Sequence, residues 1–206
     1  MVTMITPNFQ QAYAITEQLE GGFSDHPNDR GGLTMWGITE SIARAYGYTG
    51  AMKDMPQPLA KEILKFEYWD RIKLDKIDDD LLAQFIFDAS VNHGQGTAVK
   101  LVQKVYNVLS SGSLKVDGIM GSKTLSALNQ HPEPFMLKLW FLLVRGDYYR
   151  NIVNRDSSQR TFIKGWTNRL DTWFDELYEC SKKVPEVNAF SNVDQTIEEI
   201  IRRLSK

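Results

Sequence analysis

The chain has 206 residues, of which 42% are hydrophobic and 24% are charged, and its formal net charge is −2. This composition is typical of a globular protein that can bury a sizeable core in one domain or two small ones. The small negative charge provides no general attraction to nucleic acid or to an anionic membrane surface. Cys180 is the only cysteine, which excludes an internal disulfide and a cysteine-rich metal site.

The N-terminal segment MVTMITPNFQQAYAIT has neither the basic start nor the long apolar stretch of a secretory signal. The longest apolar run, residues 135–144, is interrupted by Lys138 and is shorter than the roughly 20 residues of a membrane span. We therefore expect no signal peptide and no membrane-spanning helix.

The first predicted helix begins at Pro7, with Thr6 as its N-cap, and carries an apolar stripe from Phe9 to Leu19. Glu20 falls in its last turn. The C-terminus of a helix carries partial negative charge, which favours the neutral form of a carboxyl group by about 0.3–1 kcal/mol. Burial would have to supply the remainder of any strong preference for the protonated acid.

Residues 21–38 are predicted to form a glycine-rich loop, with a short hairpin around 33–38. The pattern then predicts helices at 39–45, 58–69, 81–93, 97–109, 122–128, 134–153 and 157–180, and a last amphipathic segment at 194–204. The acidic run 78–80 suits a helix N-terminus, and Asp117 suits a turn. The fold class is therefore mainly α, with the small-residue stretch 110–113 as a candidate boundary.

Two acids and a hydroxyl stand out in and beside the loop: Glu20, Asp29 and Thr34. Cleavage of a glycosidic bond commonly needs one protonated carboxyl group, which gives a proton to the leaving oxygen, and a second group that stabilises charge or positions water. Glu20 suits the first role, and Asp29 and Thr34 suit the second. Alternatively, Glu20 is a solvated acid at a helix end, Asp29 caps a turn and Thr34 is a structural hydroxyl.

Four further residues are candidates for binding a sugar. Trp36 and Phe23 offer flat apolar faces on which sugar rings stack, although Trp36 would equally suit the core. Asp88 and Asn92 share a helix face and either line a cleft or cap the helix end near Gly94.

We expect no catalytic role for two other groups of side chains. His26, His93 and His131 lack the spacing of metal ligands, so we expect no metal and no cofactor. Trp166 and Trp173 lie on one face of a predicted helix, and we expect both in the core.

The loop resembles the signature of glycoside hydrolase family 108, the N-acetylmuramidase-like phage endolysins. The matching residues are Glu20, Gly21, Gly22, Phe23, Pro27, Asp29, Gly31, Gly32, Thr34, Gly37, Ile38 and Thr39. This chain departs from the family pattern at Phe23, where Tyr is usual, and at Arg30, where Pro is frequent. Neither change removes an acid or a glycine.

The second half is similar to the peptidoglycan-binding region that follows the catalytic part in these proteins. Residues 116–128, VDGIMGSKTLSAL, match its turn, and residues 162–170, FIKGWTNRL, match its closing pattern. The resemblance implies a lysozyme-like helical fold, and with the boundary at 110–113 it gives a catalytic lobe at 1–110 and a peptidoglycan-binding lobe at 111–180. Residues 181–206 match no part of the family, and we expect them to form a peripheral tail.

The same resemblance implies a monomeric lysozyme that cleaves the bond between N-acetylmuramic acid and N-acetylglucosamine, with Glu20 as the catalytic acid. Its partner would be the glycan strand of peptidoglycan, and it would leave a host cytoplasm through a holin. A lytic transglycosylase, a non-catalytic wall-binding protein and a regulatory helical protein are the alternatives that these residues leave open.

Overall fold

The computed structural model describes residues 6–20, 22–25, 32–110 and 112–182, and it confirms a mainly α, lysozyme-like fold. The α-helices in these ranges are α1 (Pro7–Leu19), α2 (Glu40–Ala45), α3 (Gln57–Leu64), α4 (Asp80–His93), α5 (Gln95–Leu109), α6 (Ser122–Asn129), α7 (Pro134–Arg155) and α8 (Ile163–Ser181). The predicted tail helix at 194–204 lies outside the described residues.

Shorter elements connect these helices. The strands β1 (Thr34–Met35) and β2 (Ile38–Thr39) form an antiparallel hairpin, which confirms the predicted one. Three 3₁₀ helices span Met52–Asp54, Leu74–Lys76 and Ser157–Phe162, and a π-helix spans Lys65–Asp70. No helix among the described residues is long and apolar enough to cross a membrane.

The start and end of α1 agree with the prediction. The Thr6 hydroxyl accepts the backbone N–H of Phe9 at 3.4 Å, so Thr6 is the N-cap. Glu20 is the C-cap residue, and its N–H donates to the Thr16 carbonyl at 2.8 Å. Its backbone is extended rather than helical, so the chain turns away from the helix axis at the candidate acid.

Helix α4 is the centre of the fold. Its residues from Leu82 to Ser90 are all buried, between α1, α5 and α7. The Asp79 carboxylate caps its N-terminus by accepting the N–H of Leu82 at 2.9 Å, as the acidic run predicted. A helix buried on every side usually lacks charge, yet Asp88 lies in the middle of this one.

Two predicted helices are divided in the structure. The segment predicted as 58–69 is α3 followed by the π-helix, and the segment predicted as 157–180 begins with a 3₁₀ helix before α8. Asp156 explains the second difference, because its carboxylate accepts the N–H of Ser158 at 3.1 Å and starts the tighter turn.

Candidate active site

A groove of about 590 Å³ runs between the hairpin and the ends of α4, α7 and α8. Its lining includes Glu20, at the end of α1, and Thr34, in the hairpin. It also includes Asn92 and His93, at the end of α4, and Trp166, on α8. Two parts of the chain that are far apart in sequence therefore form one concave surface around the candidate acid.

The hairpin turn places backbone directly against Glu20. Its two central residues, Trp36 and Gly37, have positive φ angles of 52° and 78°, the left-handed geometry that a two-residue hairpin loop requires. A Cβ atom on Gly37 would lie 3.0 Å from Val91 Cγ1 and 3.2 Å from Glu20 Cγ. Glycine at this position therefore allows the turn, α4 and the carboxyl side chain to meet.

We predict that Gly37→Ala lowers both stability and activity. The left-handed conformation alone costs about 1–2 kcal/mol for a residue with a Cβ atom, and the new methyl group would also displace the Glu20 side chain. Gly32→Ala is the matched control, because Gly32 has a similar φ of 69° but no atom within 4 Å of an added Cβ. Urea unfolding and wall-lysis rates should show similar destabilisation for both variants but a larger activity loss for Gly37→Ala. Equal activity of the two variants would contradict the close contact between residue 37 and Glu20.

The Glu20 carboxylate forms an ion pair with Arg169 of α8. Arg169 Nη2 lies 2.5 Å from Glu20 Oε1, and the two side chains are 4% and 17% exposed. The other terminal nitrogen of Arg169 donates to Asp88 Oδ1 at 2.5 Å. One buried guanidinium group thus joins the end of α1 to the centre of α4.

Asp88 is the hub of this network. Its Oδ2 accepts from Arg145 of α7 at 2.9 Å, and its Oδ1 also accepts from the Thr16 hydroxyl at 3.3 Å. Burial lowers the pKa of Arg169, but the negative charges of Asp88 and Glu20 outweigh that effect and raise it above its usual value. Arg169 therefore stays charged, and two carboxylates balance two guanidinium groups inside the protein.

The environment of Glu20 differs from the expected one. The helix C-terminus favours a neutral carboxyl group by about 0.3–1 kcal/mol. Arg169 adds a hydrogen bond to a charged partner, an interaction that contributes about 1.5–3 kcal/mol. The position of Glu20 on α1 did not reveal this cation, which α8 supplies, and the expectation of a neutral Glu20 stays a prediction.

Asp88 and Asn92 are placed differently. Asp88 is 0% exposed and both of its oxygens have partners, so its position does not support the predicted contact with a sugar. Asn92 does line the groove, where its Oδ1 accepts the Tyr149 hydroxyl at 3.0 Å. Asn92 stays a predicted substrate-binding residue, and Asp88 holds the two arginines instead.

The remaining candidates on the loop also differ in position. Thr34 lies in β1 and lines the groove with Glu20, while its hydroxyl donates to the Gly32 carbonyl at 3.1 Å. Phe23 is 47% exposed, next to the bridge between Ser24 and Thr34. Its stacking role stays a prediction.

Trp36 and Asp29 complete the candidates. The indole of Trp36 donates to the Met55 carbonyl at 3.2 Å and packs against the core. This position favours the core role of Trp36 over an open surface for sugar stacking. Asp29 lies outside the described residues, so its catalytic role stays a prediction.

Trp166 and Trp173 do not share one environment. Trp173 is 0% exposed in the core, as expected. Trp166 is only partly buried, lines the groove and stacks on Tyr149 with ring centroids 4.9 Å apart and planes 9° apart. Trp166 thus packs against the core, as expected, but it also forms part of the groove wall, which the sequence did not indicate.

Tyr68 is a groove residue that the sequence reasoning did not identify. It lies in the π-helix, whose wider turn leaves the Tyr68 carbonyl to accept the Ser90 hydroxyl at 3.3 Å. Burial, together with the nearby charges of Glu67 and Glu20, raises the pKa of Tyr68 to about 12. Its phenol therefore remains a hydrogen-bond donor beside the candidate acid.

His93 lies at the end of α4 between the rings of Tyr148 and Tyr149, at centroid distances of 4.9 and 5.0 Å. Its Nε2 is buried and has no hydrogen-bond partner among the described residues. Burial, helped by the charges of Arg145 and Arg169, holds the pKa of His93 well below its usual value. The imidazole is therefore neutral in the folded protein at neutral pH.

We predict that His93 makes the protein less stable in mild acid. Below about pH 6.5 the unfolded chain takes up a proton at this histidine while the folded protein does not, so stability falls as pH decreases from that value. This single group should remove about 1 kcal/mol of the free energy of unfolding between pH 7.5 and 5.5. Urea unfolding of the wild type and of His93→Gln checks this, because the variant should lose less stability over that interval. An equal loss in the two proteins would contradict it.

No group of three or more potential metal ligands occurs within the described ranges. The expectation of no metal and no cofactor stays a prediction.

Two family models match parts of this chain. Residues 13–94 match the family model of glycosyl hydrolase 108, and residues 97–171 match that of a "Predicted Peptidoglycan domain". The first match includes Glu20, the hairpin and α4, and the second includes Arg145 and Arg169. The groove and its ion pairs therefore lie between the two regions, and the lobe boundary predicted at residue 110 stays a prediction.

The solved structure of SagA from Brucella abortus is similar to this chain, with a TM-score of 0.68 and 26% sequence identity. The alignment covers 83% of this chain and 94% of the SagA chain. No curated protein matches the sequence. The two family matches and the shared fold together support a peptidoglycan hydrolase in general, with a region similar to glycosyl hydrolase 108 at residues 13–94 and a region similar to a peptidoglycan-binding domain at residues 97–171.

Proposed function

We propose that the protein is an N-acetylmuramidase, which hydrolyses the β-1,4 bond between N-acetylmuramic acid and N-acetylglucosamine with Glu20 as the general acid. The observation that carries this proposal is the position of Glu20, in the wall of a groove of about 590 Å³ and held in place by Arg169. A glycan strand in the groove would bring its linking oxygen to a carboxyl group whose orientation is already fixed.

The ion pair gives Glu20 a defined route to its acid form. A sugar that enters the groove excludes water from the partly exposed carboxylate and disfavours its charge. Arg169 can release Glu20 without becoming an unpaired buried cation, because Asp88 binds its other nitrogen at 2.5 Å. Glu20 would take up a proton from solvent as the sugar enters and give it to the leaving sugar oxygen, while Arg169 stabilises the carboxylate that this transfer leaves. The water that then adds to the sugar releases one proton to solvent, so the proton count is restored.

A second group has to stabilise the sugar cation or activate water. We propose Asp29 for this role, with the Thr34 hydroxyl orienting the water from the groove wall. Tyr68 remains a hydrogen-bond donor in the same groove as Glu20 and suits a contact with a sugar hydroxyl. The substrate-binding roles of Phe23, Trp36 and Asn92 belong to the same proposal.

Digestion of purified peptidoglycan tests the function. We expect soluble muropeptides that end in a reducible N-acetylmuramic acid, identified by mass spectrometry before and after borohydride reduction. Anhydro-muramic ends would identify a lytic transglycosylase instead. Sedimentation with the wall without released products would identify a binding protein that lacks activity.

Two further proposals concern the oligomeric state of the protein and its route to the cell wall. Sedimentation equilibrium tests the monomeric state. Expression in a bacterium with and without a co-expressed holin tests release from the cytoplasm, because lysis should require the holin.

A further inference from the structure

A second cavity adjoins the groove, between α7 and α8. It has a volume of about 260 Å³, and its apolar surface includes Gly146, Val153, Ile163 and Leu170. Trp166 lines both this cavity and the groove. A ligand in the groove therefore lies one indole ring away from an apolar pocket that the hydrolysis of a glycan strand does not require.

The partition between the two spaces is held firmly. Trp166 stacks on Tyr149, and the Tyr149 hydroxyl donates to Asn92 in the groove and accepts from the buried Arg145 at 3.1 Å. Two hydrogen bonds thus hold the Tyr149 ring on which Trp166 stacks.

Polar side chains complete the cavity lining: Arg150 and Asn154 of α7 and Thr167 of α8. The Arg150 side chain is 71% exposed, and it is paired with Asp147, three residues away on the same helix. Such an exposed pair contributes little to stability, so Arg150 can exchange Asp147 for a ligand carboxylate at small cost.

Size and chemistry together limit the occupant. Pockets for drug-sized ligands span about 300–1,000 Å³, so this cavity suits a few small groups rather than a protein helix. In peptidoglycan, each muramic acid carries a lactyl group and a short peptide, which present methyl groups near the sugar and carboxylates farther out. The apolar surface matches the methyl groups, and Arg150 matches a carboxylate.

We propose that this cavity binds the lactyl group and first residues of the peptide stem, so that the protein prefers glycan strands that carry stems. The inference rests on the proposed muramidase function, since the groove must hold the glycan for the stem to reach Trp166.

Comparison of two substrates tests it. One is peptidoglycan with its stems, and the other is the same glycan after an amidase has removed them. We expect the wild type to show a kcat/KM about tenfold higher on the first, since placing one or two methyl groups in an apolar pocket changes kcat/KM by about 10–200-fold. Thr167→Trp, which fills the cavity from an exposed position, and Arg150→Glu should each bring that ratio close to one.

Lys164→Glu is the matched control, because it makes the same charge change on exposed α8 outside the cavity lining. Its ratio should equal that of the wild type. If the wild type cleaves both substrates equally well, the stem pocket is refuted while the muramidase function stands.

If neither substrate is cleaved, measuring ligand binding distinguishes the proposed stem pocket from the proposed muramidase function. Calorimetry would compare the disaccharide with and without its peptide, on the wild type and on Thr167→Trp. Tighter binding of the peptide form by the wild type alone would support the pocket without any catalysis. Equal binding of the two ligands would overturn it.

Discussion

Glu20→Gln is expected to lower the rate of wall hydrolysis by about 10²–10⁴-fold, which is the usual contribution of a positioned general acid. Glutamine has the shape of glutamate but cannot donate a proton of comparable acidity to a leaving oxygen. Its side-chain carbonyl can still accept from Arg169, so the geometry at the end of α1 should remain. Turbidity clearing and the release of reducing ends measure the loss.

Two comparisons make this result specific. The melting temperature of Glu20→Gln should fall less than that of Asp88→Asn, because Glu20 is partly exposed and Arg169 keeps its bond to Asp88. A variant that is still folded at the assay temperature shows that lost activity is not lost structure. Glu17→Gln removes a carboxylate one turn earlier on α1, where Glu17 accepts the Tyr13 hydroxyl at 2.7 Å, and should keep most of the activity. Normal clearing by Glu20→Gln would remove Glu20 from the mechanism.

Local patterns in the sequence predicted the parts of the site that depend on neighbouring residues. Thr6 and the apolar stripe of α1 placed Glu20 at a helix end, and the glycines around Trp36 predicted the hairpin beside it. Each of these features follows from caps, turns and periodicity over a few residues. The motif match then indicated which of the two acids deserved the catalytic role.

The ion-pair network could not be predicted in the same way. Glu20 and Arg169 are 149 positions apart, and nothing local to either residue shows that α8 packs beside the end of α1. The segment that contains Arg169 matched a family pattern, but its arginine received no function. The spacing of Asp88 and Asn92 places both on one helix face, which either lines a cleft or caps the helix end. Only the packing of the neighbouring helices shows that the part of this face at Asp88 is buried.

The π-helix shows the same limit for a single side chain. The apolar spacing from Leu59 to Trp69 predicted one continuous helix, and the chain is indeed helical throughout. The change of hydrogen bonding at Lys65 has no strong signature in the sequence. Tyr68 lies in this π-helix and lines the groove, and the sequence reasoning missed its position.

Asp88→Asn is expected to destabilise the protein by about 3–5 kcal/mol, the range for removing one partner of a buried ion pair. Asp88 and Arg145 are both 0% exposed, and Arg169 is 4% exposed, so water cannot replace the lost carboxylate. The network would then contain two guanidinium groups and the single carboxylate of Glu20. Urea unfolding measures the change, and Asp147→Asn, which breaks the exposed pair with Arg150, should cost only about 0–1 kcal/mol.

A double variant distinguishes charge imbalance from lost packing. Asp88→Asn combined with Arg145→Met removes one charge of each sign and leaves Glu20 paired with Arg169. Because the neutral balance is restored, the double variant should lose less stability than the sum of the two single losses, by about 0.5–3 kcal/mol. If the two losses simply add, Asp88 supports the fold through shape and hydrogen bonding alone. The balance of charges then has no part in holding Arg169 against Glu20.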